Sequence, residues 1–145
     1  MKWLDEKELF SEFAVIIGCG RLGANLASAI SDAGGDVIII DKDKSAFKKL
    51  PSSYGGLTLA ADATDIDVLI EAQIDKATSV VSVTDNDNIN IMVAQLAKVW
   101  FHTKKVICRL YDPEKECVYK ELQVETICPA VLSAKEIEKI MKVSG

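Results

Sequence analysis

Long apolar runs, histidine and paired cysteines are what this 145-residue chain has least of. No apolar run reaches the roughly 18 residues that a membrane-spanning helix requires, which excludes direct membrane insertion. The single histidine, His102, stands in FHTKK between a helical and a strand segment and reads as exposed turn, leaving imidazole catalysis without a candidate. Cys19, Cys108, Cys117 and Cys128 form no C-x-x-C pair, so the common zinc and dithiol motifs are excluded and reduced thiols are predicted. Lysine and arginine, 17 together, are scattered among 22 acids for a net charge of −5; without a basic stripe, nucleic acid is excluded as a partner. The opening MKWLDEKELFSEF carries four acids and no continuous apolar core, unlike a secretory signal, so the protein is placed in the cytoplasm. Residues 1–12, with apolar positions Trp3, Leu4, Leu9 and Phe10 and Phe13 at their end, read as a short amphipathic lead-in helix.

What is there is concentrated between Ala14 and Asp41: AVIIGCGRLGANLASAISDAGGDVIIID. An apolar strand runs into a G-x-G-x-x-G turn, an amphipathic helix follows, and a second apolar strand ends in an acid. Gly18 permits the tight turn, Gly20 lets backbone approach a phosphate with no Cβ in the way, and Gly23 lets the helix pack closely on the sheet. Cys19, Arg21 and Leu22 complete the turn, whose free N–H groups and positive helix end suit a phosphate or pyrophosphate. Cys19 at that helix start is a candidate reactive thiol. Asp41 can accept from both ribose hydroxyls and repels a 2′-phosphate, an exclusion that Lys42 and Lys44 weaken slightly.

Six apolar strands alternate with helical segments: AVIIG, DVIII from Asp36, LTLAA from Leu57, SVVSV from Ser79, KVICR from Lys105 and VETIC from Val124. The pattern predicts one α/β domain over residues 13–145, a Rossmann-like doubly wound parallel sheet in the order 3-2-1-4-5-6. A ligand in such a sheet lies across the carboxyl ends of the strands at the switch between strands one and four. After strand three, Asp62 and Ala63 are candidates there, Asp62 as acceptor from an adenine amino group, with Thr64 or Asp65 capping the next helix. After strand four, Thr84, Asp85 and Asn86 face the phosphates, and Asp87 or Asn88 caps a helix through Trp100. Arg21 inside the turn can reach a terminal phosphate, while Arg109 at the end of strand five faces the crevice or forms an ion pair. Pro129 introduces a terminal amphipathic helix through Val131, Leu132, Ile137, Ile140 and Met141, which either closes its own sheet or lies on a neighbour.

Taken in order, GCGRLG, Asp41, ADAT, TDNDNIN leading into MVAQLAK, ICRLYDPE and ICPAVLSAKEI resemble the nucleotide-binding domain of the regulators of potassium conductance, the cytosolic subunits of the Trk and Ktr potassium uptake systems. The resemblance implies an allosteric role with no catalysis: NAD, NADH, ATP, ADP or AMP bound in the crevice shifts a dimer or larger ring and gates an integral-membrane potassium channel or transporter subunit. It implies a protein held at the membrane only through that partner. It also implies dimer packing through residues 88–100 and 113–122 with exchange of the terminal helix, and an Arg21 that reaches the γ-phosphate across the dimer. Val93, Leu96, Trp100 and Phe101 are then interface, or ordinary core. Members commonly carry glycine where this chain has Ala61, and a cation-holding glutamate where Ala130 follows Pro129, so no metal is expected. The family's second, smaller ligand-binding domain is not expected in a chain that stops at Gly145. The competing readings are a fragment of an NAD-dependent oxidoreductase and a passive adenine-nucleotide-binding interaction module.

Overall fold

The computed structural model describes residues 13–116 and 120–143. The amphipathic lead-in expected over residues 1–12 and Cys117 lie outside them. Six strands, β1 (Phe13–Ile17), β2 (Asp36–Asp41), β3 (Leu57–Ala60), β4 (Ser79–Ser82), β5 (Lys105–Arg109) and β6 (Glu125–Ile127), make one parallel sheet in the order β3-β2-β1-β4-β5-β6. This is the predicted doubly wound topology. It follows from unbroken β-branched strands: buried on both faces, Val15 and Ile17 of β1 face one layer and Ala14 and Ile16 the other.

Among the described residues the helices α1 (Arg21–Asp32), α2 (Ile66–Glu71) and α3 (Asp87–Gln95) pack on the sheet, and α4 (Pro129–Val143) follows β6. On one face α1 lays down Gly23, Ala24, Ala27 and Ile30 at helical spacing. It stops in a Schellman motif, with Gly34 N–H donating to Ser31 O and Gly35 N–H to Ile30 O. On the other face Leu69 of α2 and Val93 and Ala94 of α3 cover Val80, Val106 and Cys108.

One local expectation is corrected and others are refined. The cap of α3 is Asn86, whose Oδ1 accepts from Ile89 N–H; Asp87 and Asn88 lie inside the helix. The helix does continue to Trp100, but Leu96–Trp100 widens into a π-turn that leaves Val99 and Trp100 on the surface. Of the residues read as interface or ordinary core, Val93 is fully buried core, whereas Leu96 and Phe101 are partly buried against that core. After Asp112 the chain makes a short 3-10 turn, Pro113–Lys115.

One half of the first face carries an apolar groove among the described residues. Val81, Val83, Ile107 and Ile127 line it with Leu22, Leu26 and Ile30 of α1, and its volume is about 350 Å³. The terminal helix α4 begins at Pro129, as predicted, yet Leu132, Ile137, Ile140 and Met141 are all more than half exposed.

Candidate functional site

The carboxyl ends of the strands open into a crevice of about 420 Å³, within the range of small-molecule sites. One wall is the glycine turn. Gly18 holds φ +103°, and a Cβ there would fall 2.9 Å from Thr84 N and from Val83 O, so the turn needs glycine twice over. At Gly23 a Cβ would meet Gly18 O, which is why α1 packs so near the strand it follows. Gly20 differs: nothing lies within 4 Å of its Cβ position, and its φ of −81° is ordinary. The space beside Gly20 is open crevice. No side chain caps the first turn of α1, so its N-terminal N–H groups remain available to an anion.

Asp41 ends β2 with both oxygens engaged: Oδ2 accepts from Cys19 N–H at 2.8 Å and Oδ1 from Asp43 N–H at 2.9 Å. The carboxylate thus ties the glycine turn to the end of β2 while keeping lone pairs for further donors such as hydroxyls. Cys19 is 1% exposed and its Sγ–H donates to Ala46 O at 3.4 Å. Burial, reinforced by the Asp41 charge and opposed by Lys49, pushes its thiol pKa up. The expectation of a reactive thiol is therefore corrected: desolvation outweighs the helix end.

Of the predicted residues, Gly18, Cys19, Gly20, Asp41, Lys42, Asp62, Ala63, Thr84, Asp85, Asn86 and Arg109 line this one crevice. Arg21, Leu22 and Gly23 do not. Arg21 is exposed on α1, Leu22 packs into the second core, and Gly23 is a packing residue. Asp62, expected as acceptor from an adenine amino group, has one oxygen engaged locally: Oδ1 accepts from Thr64 N–H at 2.9 Å and Thr64 Oγ1–H at 2.7 Å, forming a local turn. Those two bonds hold its carboxyl below the usual range. Asp65 caps α2, accepting from Asp67 N–H.

Across the switch point, Thr84 N–H and Oγ1–H both point at Asn90 Oδ1, at 2.9 and 2.6 Å, so neither is a free phosphate donor. Asn90 is fully buried, and its Nδ2 donates to Thr84 O and Arg109 O. Arg109 forms no ion pair among the described residues. Its Nη2 donates to Val83 O at 2.8 Å and Thr84 O at 3.0 Å, its guanidinium lies 5.0 Å over the Tyr111 ring, and its buried Nε has no partner.

Sequence reasoning missed Lys49. Ala46 and Lys49 stand three apart on the 3-10 helix Lys44–Lys49, where i and i+3 eclipse, so the buried Ala46 brings Lys49 to the crevice wall. The signal was the spacing to a small apolar residue, legible only once a 3-10 helix is assumed. With Lys42 and Arg109 it supplies the cations of a rim that also carries Asp41, Asp43, Asp62 and Asp85. Among the described residues no group of three or more His, Cys, Asp or Glu is arranged to hold a metal ion, and no helix is long and apolar enough to cross a membrane.

An open 3-2-1-4-5-6 sheet with a glycine turn and an acid facing each other at its switch point defines the Rossmann class. Residues 14–129 match the model of the TrkA-N domain, and the chain belongs to this family. It is 37% identical over 131 residues to the Trk system potassium uptake protein TrkA of Streptomyces coelicolor, covering 90% of this chain and 59% of that protein. The chain thus spans little more than half of that relative's length. Among solved structures, the Shewanella denitrificans Kef CTD in AMP-bound form superposes with a TM-score of 0.73 at 22% identity, over 92% of this chain and 82% of the other. GsuK bound to ADP gives 0.77 at 20% identity, over 99% of this chain and 39% of that one. At such identities these two establish likeness of fold.

Proposed function

We propose that this chain is the nucleotide-sensing part of a potassium uptake system: it binds an adenine nucleotide in the crevice and passes the resulting change through self-association to a membrane channel or transporter subunit. The observation that carries the reading is Asp41, fixed by Cys19 N–H and Asp43 N–H between the glycine turn and the end of β2, which leaves it lone pairs to accept from ribose hydroxyls. Open space at Gly20 and the uncapped start of α1 supply a phosphate seat beside it. AMP and ADP in the similarly folded Kef and GsuK structures support an adenine nucleotide as ligand. NAD and NADH share the adenosine half, and ATP adds one phosphate.

The apolar groove and the exposed apolar side chains of α4 support self-association, in which α4 of one copy covers the groove of another. Exposed Trp100 and Val99 extend the apolar surface on the opposite side of the sheet. In such an assembly Arg21, exposed and outside its own crevice, faces a neighbour's terminal phosphate.

Calorimetric titration of nucleotide-free protein with AMP, ADP, ATP, NAD, NADH and NADPH, with and without magnesium and alongside oligomer mass, tests the reading. A preference among ligands with a change of assembly supports a sensor, because an equally preferred ligand shifts nothing. Absence of binding to all six refutes it.

A further inference from the structure

Two side chains connect the crevice with the segment that follows β5. Arg109 is on the crevice wall, yet its Nη2 is spent on the neutral carbonyls of Val83 and Thr84, and its guanidinium rests on the Tyr111 ring. Asp87 lies outside the crevice lining with its side chain only 9% exposed. Its Oδ1 accepts from Tyr111 N–H at 2.8 Å and its Oδ2 from Asp112 N–H at 3.0 Å, and Lys115 Nζ approaches Oδ2 at 3.9 Å. Tyr111 is therefore held at its ring by a crevice residue and at its amide by the helix that starts from the crevice loop. The same loop is fastened to β5 through Asn90, which bridges Thr84 and Arg109.

We propose that Arg109 and Asp87 are positioning residues that carry occupancy of the crevice to the segment from Tyr111 to Lys115, with Tyr111 as the first residue to respond. A phosphate is a stronger acceptor for a guanidinium than two peptide carbonyls, and it can take Nε as well, which has no partner among the described residues. A phosphate bound in the crevice draws Arg109 off the Tyr111 ring. The amides of Tyr111 and Asp112 then hang on Asp87 alone. Tyr111, 48% exposed, transmits the change at the surface. The inference rests on the nucleotide reading above, and its test separates the two.

Amide hydrogen exchange at Tyr111 and Asp112 is measured by NMR in the free protein, with saturating adenosine, and with saturating ADP, each ligand's affinity being determined separately. ADP is expected to accelerate exchange at both amides by at least about fivefold, whereas adenosine, which has no phosphate, leaves it unchanged. In Asp87→Asn exchange is faster throughout, and the ADP-dependent ratio collapses toward one while ADP affinity stays within about fivefold of wild type. A merely structural Asp87 would speed exchange equally with and without ADP and preserve the ratio. Tyr111→Leu, which removes the ring and keeps both amides, is expected to abolish the ADP response and serves should Asp87→Asn not fold. ADP that binds but leaves wild-type exchange unchanged or slower overturns the inference and spares the nucleotide reading. Failure of both ligands to bind removes that reading and the inference with it.

Discussion

Replacing Gly23 with alanine puts a methyl group 1.9 Å from Gly18 O and 3.0 Å from Gly18 C, both of them backbone atoms. An ordinary carbon–oxygen contact needs roughly 3.4 Å, so α1 and the glycine turn must part by about 1.5 Å. Neither side is a flexible side chain, and Gly18 is itself pressed against the Val83–Thr84 peptide, so the strain has no inexpensive outlet. Overpacking of this kind costs about 3 kcal/mol, the upper end of its usual range. For a domain of this size that corresponds to a fall in melting temperature of roughly 10 °C. The helix start moves with the turn, so nucleotide affinity should fall more than about tenfold, the equivalent of 1.4 kcal/mol. Gly20→Ala is the internal control. Its Cβ meets nothing within 4 Å and its φ is compatible with alanine, so stability should stay within about 1 kcal/mol of wild type. That methyl nevertheless stands in the space assigned to phosphate, and affinity should fall. Urea unfolding paired with calorimetry separates the two variants. A Gly23→Ala protein as stable as wild type, or a Gly20→Ala protein equally destabilised, would refute the assignment of roles along the turn.

Asp41→Ala removes the acceptor of Cys19 N–H and Asp43 N–H, and should weaken AMP, ADP and NAD alike by roughly 1–3 kcal/mol in titration calorimetry; a loss confined to one ligand contradicts a ribose-side role. Thr64→Ala removes the hydroxyl donor to Asp62, so an NMR titration should find that carboxyl raised toward its ordinary range. The sign is that of a depressed acid: the contribution to stability is present above the ordinary carboxylate range and is lost as pH falls through the Asp62 pKa. Tyr54 is pushed from its ordinary 10 to about 12, first by burial and then by Cys19, and its hydroxyl donates to Leu57 O at 2.8 Å. Its contribution is full below pH 10 and is lost as pH rises toward 12, so tyrosinate absorbance should lag there, and Tyr54→Phe should cost about 1 kcal/mol at neutral pH.

The sheet was legible in the sequence because its central strands β1, β2 and β4 are short β-branched runs closed by a glycine, an acid or a polar loop. Strand order follows from parallel crossovers of one hand, and the terminal helix starts at the proline that announces it. The crevice was legible at the level of which loops meet there. Sequence does not show how polar groups pair within those loops. Four consecutive positions, Thr84, Asp85, Asn86 and Asp87, each have a plausible cap or ligand role; the choice of Asn86 as cap is made by where the strand ends and where Asn90 is buried. Asp62 comes too early in its loop to cap the next helix, and an aspartate two residues before a threonine can close a turn on itself. Arg109 was weighed for an ionic partner when the nearest acceptors were carbonyls left at the end of β4, which no spacing rule identifies. Cys19 illustrates competition between two effects of similar reach, the helix end that lowers a thiol pKa and the burial that raises it, and only the packing of Ala46 over the sulfur decides between them.

If copies associate as proposed, the apolar groove beside α1 makes the stability of this domain a function of how much of it is present. In the proposed assembly, apolar surface at Ile107 and Ile127 loses water when a second copy covers it, and the folded state then gains stability by mass action as copies accumulate. Dilution and heat then become interchangeable perturbations. A melting temperature that climbs with protein concentration would express, in bulk solution, a gap in one layer of a single sheet.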